Sequence, residues 1–129
     1  MSLSNYINGA MLDWAFGGAT PTRPTTRYVS LHYGDPGKTG ANELVSSGYA
    51  RVVGPFSAAS GAGAIANAGI VTFTNASGVS WTTAPYFGVW TAISGTNYFI
   101  GGGILDFPRT LLAGDTAAFA VGALDVIVD

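Results

Sequence analysis

A chain of 129 residues has the size of one ordinary domain, and folding at that length buries roughly two-thirds of the surface that the unfolded chain exposes. Five Lys or Arg and seven Asp or Glu make a charged fraction far below the usual quarter of a soluble domain. With a net charge of -2 there is no basic field to hold a phosphate backbone, which argues against nucleic acid as a partner.

Residues 3–16 place Tyr6, Ile7, Ala10, Met11 and Trp14 at helical spacing, with Ser4 positioned to cap the start and Gly17-Gly18 to end it. One amphipathic α-helix is predicted within 1–18, its apolar face docking on its own sheet or on a neighbouring subunit. The stretch Ala19–Thr26 carries Pro21 and Pro24 among threonines, cannot continue a helix, and reads as an extended connector spanning 19–27. From Tyr28 the period changes to two, with Val29, Leu31 and Tyr33 on one strand face and Tyr28, Ser30 and His32 on the other. Asp35-Pro36-Gly37 then opens a long polar loop to Gly48 that holds the chain's only lysine, Lys38.

Further strands are expected at Tyr49–Phe56, Gly69–Thr74, Tyr86–Thr91, Tyr98–Asp106, Thr116–Val121 and Leu124–Val128, each bounded by turn-forming residues. Ser57–Ala68 is almost wholly alanine, serine and glycine and reads as a flexible loop, the alternative being a strand packed closely against another chain. Gly101-Gly102-Gly103 lies inside a strand pattern and reads as a β-bulge. The pattern is that of a mainly β chain: an antiparallel, jelly-roll-like β-sandwich of about seven or eight short strands with one N-terminal α-helix. It is expected to form a single domain over 1–129, with the sandwich occupying 28–129.

Hydrophobic residues make up 48% of the chain, yet no apolar run approaches the roughly 18 residues of a membrane helix. Asn5, Asn8, Gly9 and Asp13 interrupt any secretory signal, and the strands are too short for an outer-membrane barrel. Neither membrane insertion nor Sec export is expected. Cysteine is absent, which removes disulfides, thiolate metal sites and cysteine nucleophiles. His32 is the sole histidine, and with only Asp35 near it in sequence it reads as a partly exposed structural residue.

The spacings of zinc proteases, α/β-hydrolases and P-loop enzymes do not occur. The seven carboxylates single out no acid–base pair for glycoside cleavage. Asp35, Asn42 and Glu43 offer oxygens from one loop, but fit no calcium-binding spacing and are expected to bond their own backbone. No cofactor, metal or enzymatic activity is therefore expected. In Tyr86-Phe87-Gly88-Val89-Trp90, Phe87 and Val89 point one way and Tyr86 and Trp90 the other, so both faces need cover. One face meets the second sheet and the other a helix, a loop or another subunit. That favours assembly and makes Tyr86 and Trp90 candidates for a subunit or host-surface glycan contact.

Three stretches resemble a known family: Leu31-His32 running into Asp35-Pro36-Gly37-Lys38-Thr39-Gly40-Ala41-Asn42-Glu43, then Gly48-Tyr49-Ala50-Arg51, then Ala113-Gly114-Asp115-Thr116. The aromatic segment Tyr86–Gly95 fits the same pattern. The family is that of small virion proteins of tailed bacteriophages, described as tail-fibre or minor structural proteins. The resemblance implies a noncatalytic subunit of the virion whose partners are other virion proteins. Within the matching loop, Pro36 and Gly37 fix a turn, Asp35, Asn42 and Glu43 satisfy backbone donors, and Arg51 is the partner expected for Glu43. The low charge of the whole chain fits a subunit whose exterior is partly hidden, so a symmetric homo-oligomer is expected, with a trimer favoured. A module recognising host-surface glycans is the alternative.

Overall fold

A computed structural model describes residues 3–57, 63–95 and 98–127. One helix, α1 (Asn5–Ala15), precedes eight strands among the described residues: β1 (Tyr28–His32), β2 (Val52–Val53), β3 (Ala64–Ala66), β4 (Val71–Thr74), β5 (Ala84–Trp90), β6 (Phe99–Arg109), β7 (Thr116–Phe119) and β8 (Asp125–Ile127). The fold is mainly β and sandwich-like, and every strand pairing is antiparallel. A four-stranded sheet in the order β2-β1-β5-β6 faces two ladders, β3-β8 and β4-β7.

Between them lies a core whose composition follows from strand alternation. Val29, Leu31, Phe87, Val89 and Leu105 come from the large sheet, and Val71, Phe73, Ala117, Phe119 and Val126 from the ladders. The buried-exposed alternation of β4 (Val71 and Phe73 in, Thr72 and Thr74 out) shows a sheet with one wet face. Two asparagines pin the loops that join these ladders. Asn67 donates to the carbonyls of Gly69 and Ala120 and accepts from the Leu124 amide. Asn75 donates to the carbonyls of Val79 and Leu111 and accepts from Ser77. Both are almost wholly buried, and each supplies the partners that a turning backbone cannot find in a ladder.

Several elements depart from the sequence expectation for identifiable reasons. Within Tyr49–Phe56 only Val52–Val53 forms a strand, paired with Val29 and Tyr28. Gly54-Pro55 then interrupts the run, leaving an isolated bridge between Phe56 and Asn67. Ser57–Ala68 is not simply a loop: Ala64–Ala66 pairs with β8, and Ile65 packs against the core. Residues 58–62 of that stretch, and Val128 of the last expected strand, lie outside the described residues.

The triglycine is not itself a bulge, since Gly101, Gly102 and Gly103 stand in regular register opposite Val89, Gly88 and Phe87. The irregularity falls just before it, where Phe99 pairs with Trp90 and Ile100 is the extra residue. Glycine is needed there for close approach. A Cβ on Gly103 would come within 2.9 Å of the Asp125 carbonyl oxygen, and one on Gly102 would collide with the Phe87 carbonyl.

Helix α1 begins where expected. Ser4 caps it by accepting from the Ile7 amide at 3.1 Å, and the Ser4 amide donates to the Ile100 carbonyl at 2.9 Å. Beyond that attachment no residue of the helix is buried. No helix among the described residues is long and apolar enough to cross a membrane.

Candidate functional site

Two features stand out from the sandwich: a polar loop clamped onto one face of the large sheet, and the helix beside it. On that face, strand pairing sets Ser30 opposite Gly88 and His32 opposite Tyr86. The absent side chain at Gly88 makes room for a contact, because a Cβ there would sit 2.7 Å from both His32 Nε2 and Ser30 Oγ. Ser30 Oγ and His32 Nε2 are themselves 2.7 Å apart. Trp90 Nε1 donates to Ser30 Oγ at 2.7 Å, and His32 Nδ1 lies 2.7 Å from the carbonyl oxygen of Ala41. A carbonyl only accepts, so Nδ1 donates and Nε2 accepts the Ser30 hydroxyl proton. His32 is 0% exposed rather than partly exposed, since the loop from Gly34 to Glu43 folds over it.

The loop reaches that position through left-handed backbone at Gly37, Gly40 and Asn42. Gly40 passes so near Trp90 and Phe99 that any side chain on it would collide with both rings. Burial outweighs the Ala41 carbonyl and the Glu43 carboxylate, which favour the cation, and holds the His32 imidazole below its ordinary 6.5.

The residues of the loop motif divide between turn and clamp. Asp35 accepts from the Gly37 amide at 2.8 Å, and Asn42 donates to the Asp35 carbonyl at 3.0 Å. Pro36 is buried, and its carbonyl accepts from the amides of Gly40 and Ala41. Glu43 forms an isolated bridge with His32 and receives Arg51 in two-point fashion, Nε to Oε2 at 2.9 Å and Nη2 to Oε1 at 2.8 Å. Arg51 also donates to the carbonyls of Ala92 and Gly95 and lies 3.5 Å above the Trp90 ring. Tyr49 donates to Glu43 Oε2 and accepts from the Leu31 amide; burial pushes its phenol well above the ordinary 10. With side-chain exposures of 4% for Arg51 and 21% for Glu43, the pair is mostly withdrawn from water and its remaining donors are satisfied.

The Ser30–His32 contact has the distance of a nucleophile and its base. Both side chains are nevertheless wholly buried, Trp90 already donates to the same hydroxyl, and a carbonyl stands where an orienting carboxylate would. As arranged, the chain Trp90–Ser30–His32–Ala41 holds the loop down. Trp90 is 1% exposed, which corrects its assignment as a glycan or subunit contact: the loop of the same chain covers the face expected to need a partner. Tyr86 is half-buried. Among the described residues, no group of three or more His, Cys, Asp or Glu is placed to hold a metal ion.

The helix face is another matter. Ile7 and Ala10 are half-buried and form a shallow groove with Pro21 and Pro24. Tyr6 leans edge-on against Tyr98. Met11 (53%), Leu12 (60%), Trp14 (69%) and Phe16 (84%) stand out in water. The residues that pin the sandwich, Asn67 and Asn75, were missed by sequence reasoning; their signal is an asparagine directly after a strand with a turn glycine close behind.

Comparison with known proteins bears on this geometry. The model of the podophage GP4 fiber I protein gp80 family matches residues 2–127. The chain belongs to that family. It is a bacteriophage structural fibre protein, and its place is the virion. The curated proteins contain no match to it. A fibre protein works through contacts with other virion proteins, and the helix is one region of this one that leaves apolar side chains in water, Ile104 and Phe107 of β6 being another.

Proposed function

We propose that this fibre protein is a noncatalytic subunit that assembles through α1 as a symmetric homo-oligomer, with three copies around one axis. The single observation that supports this reading is a helix with no buried residue that holds Met11, Leu12 and Trp14 in water, with Phe16 exposed just past its end. A helix that is apolar on more than one side is stable when more than one side is covered.

These side chains spread over more than one side of the helix. Met11 and Trp14, three residues apart, share one side, whereas Leu12 and Phe16, four apart, share nearly the opposite one. An isologous dimer covers one side of each helix. A cyclic trimer packs every helix against two neighbours on adjoining sides, and three copies is the number we favour. The β body, residues 28–129, then projects from the helical axis, helix and body together making a single domain over 1–129. The glycan reading draws less support, because Trp90 is covered.

Sedimentation equilibrium on the full chain tests the proposal. The expected result at micromolar concentration is three times the 13.1 kDa protomer mass. A stable 13.1 kDa monomer that fails to associate with other virion components would contradict it.

A further inference from the structure

The tip of the Gly34–Glu43 loop is bonded largely to itself. The Gly40 and Ala41 amides donate to the Pro36 carbonyl at 3.0 Å, the Gly37 amide to Asp35, and the Asn42 side chain to the Asp35 carbonyl. Beyond its two-stranded stem and the clamp of Arg51 and Tyr49 on Glu43, two hydrogen bonds tie this unit to other described residues. One is His32 Nδ1 to the Ala41 carbonyl at 2.7 Å. The other is the Asn5 amide, at the start of α1, to the Lys38 carbonyl at 3.0 Å. The loop therefore touches a buried titratable group on one side and the helix on the other.

We propose that the loop is an acid-releasable latch: protonation of His32 lifts its tip from Trp90 and Phe99 and frees the Asn5 amide, loosening the seat of α1 while the sandwich stays folded. Nε2 accepts the Ser30 hydroxyl proton, and that hydroxyl already receives the Trp90 indole N–H. A proton added at Nε2 opposes the Ser30 proton and creates a cation with no water around it. Among the groups facing the ring, Glu43 favours that cation but is engaged by Arg51 and Tyr49, and Arg51 opposes it. Ser30, Trp90 and Phe99 are buried neutral neighbours, Tyr86 stands opposite on β5, and the loop's own Asp35 and Lys38 lie out in solvent.

Opening the loop restores water to the imidazole and its ordinary affinity for a proton. The sign follows. The closed form holds the imidazole below 6.5, so as pH falls past that value the open form takes up a proton that the closed form refuses. The open fraction rises, by about tenfold per pH unit, until the closed form also protonates. Because the tip travels with its internal bonds, this opening costs less than unfolding the sandwich. The latch rests on the loop's geometry and stands whether or not α1 carries the assembly contact.

Amide hydrogen exchange on the full chain between pH 7.5 and 5, with each rate divided by its intrinsic rate at that pH, tests it. Protection at Asn5, Gly40 and Ala41 is expected to fall about tenfold per unit below pH 6.5, and to lie well below the protection of β4 at every pH. His32→Gln is expected to remove that pH dependence; if this variant does not fold, the wild-type contrast between loop and β4 decides alone. Protection at the three amides that stays flat across the range, or that equals the protection of β4 throughout, overturns the proposal.

Discussion

The loop over the large sheet and the helix next to it are built on opposite principles. Arg51 is 6% exposed and every direction of its guanidinium is used, on Glu43, on two carbonyls and on an indole face. Phe16 is 84% exposed, and the helix before it buries no residue. The clamp that holds the loop, Arg51 with Glu43 and Tyr49, is polar in sequence yet mostly buried, because its side chains find partners within the chain. The helix is apolar in sequence yet wet. Composition alone assigns these regions the wrong way round. The difference teaches that the loop is secured by partners within the chain, while the helix leaves Met11, Leu12 and Trp14 in water.

Substitutions that break this contrast fall in order of expected size. Arg51→Ala strips Glu43 of its partner inside the fold and is expected to cost about 3 kcal/mol, read as a fall in the urea midpoint. The exposed Arg23→Ala is expected to stay within about 0.5 kcal/mol of wild type. Asn75→Ala leaves the Ser77 amide and the Leu111 and Val79 carbonyls short of a partner, with an expected loss of about 2 kcal/mol by the same measurement. Gly88→Ala drives a methyl group into the Ser30–His32 contact; about 1–2 kcal/mol is expected, together with a shift in the near-ultraviolet dichroism of Trp90. At the small end, thermal stability is expected to decline gently below pH 6.5, because unfolded His32 takes up a proton that the folded imidazole resists. His32→Gln removes that decline.

How much of this was legible in the sequence differs between the same two regions. The helix could be read because capping and periodicity are local, and Ser4, Met11 and Trp14 announce themselves within one stretch. The β class was legible from the alternation of Tyr28–His32 and Val71–Thr74, as was the turn at Asp35-Pro36-Gly37. What covers each face was not. The burial of His32 and Trp90 depends on Gly40 crossing the sheet, a contact between residues fifty positions apart in the case of Trp90. The strand at Ala64–Ala66 was hidden because its small side chains carry no signal of their own, and it exists only through pairing with β8. The triglycine was read as a bulge because local pattern cannot distinguish a bend from an intimate approach of two backbones.

Leu12 and Trp14 stand on the two apolar sides of α1, and Leu12→Gln with Trp14→Gln in the full chain separates a helix kept for neighbours from one that the sandwich needs. Sedimentation and thermal unfolding of this double variant are measured together. The account expects a monomer whose unfolding, compared with dilute wild type, moves by less than the equivalent of about 0.5 kcal/mol. A variant that keeps the wild-type mass, or one that unfolds, contradicts it.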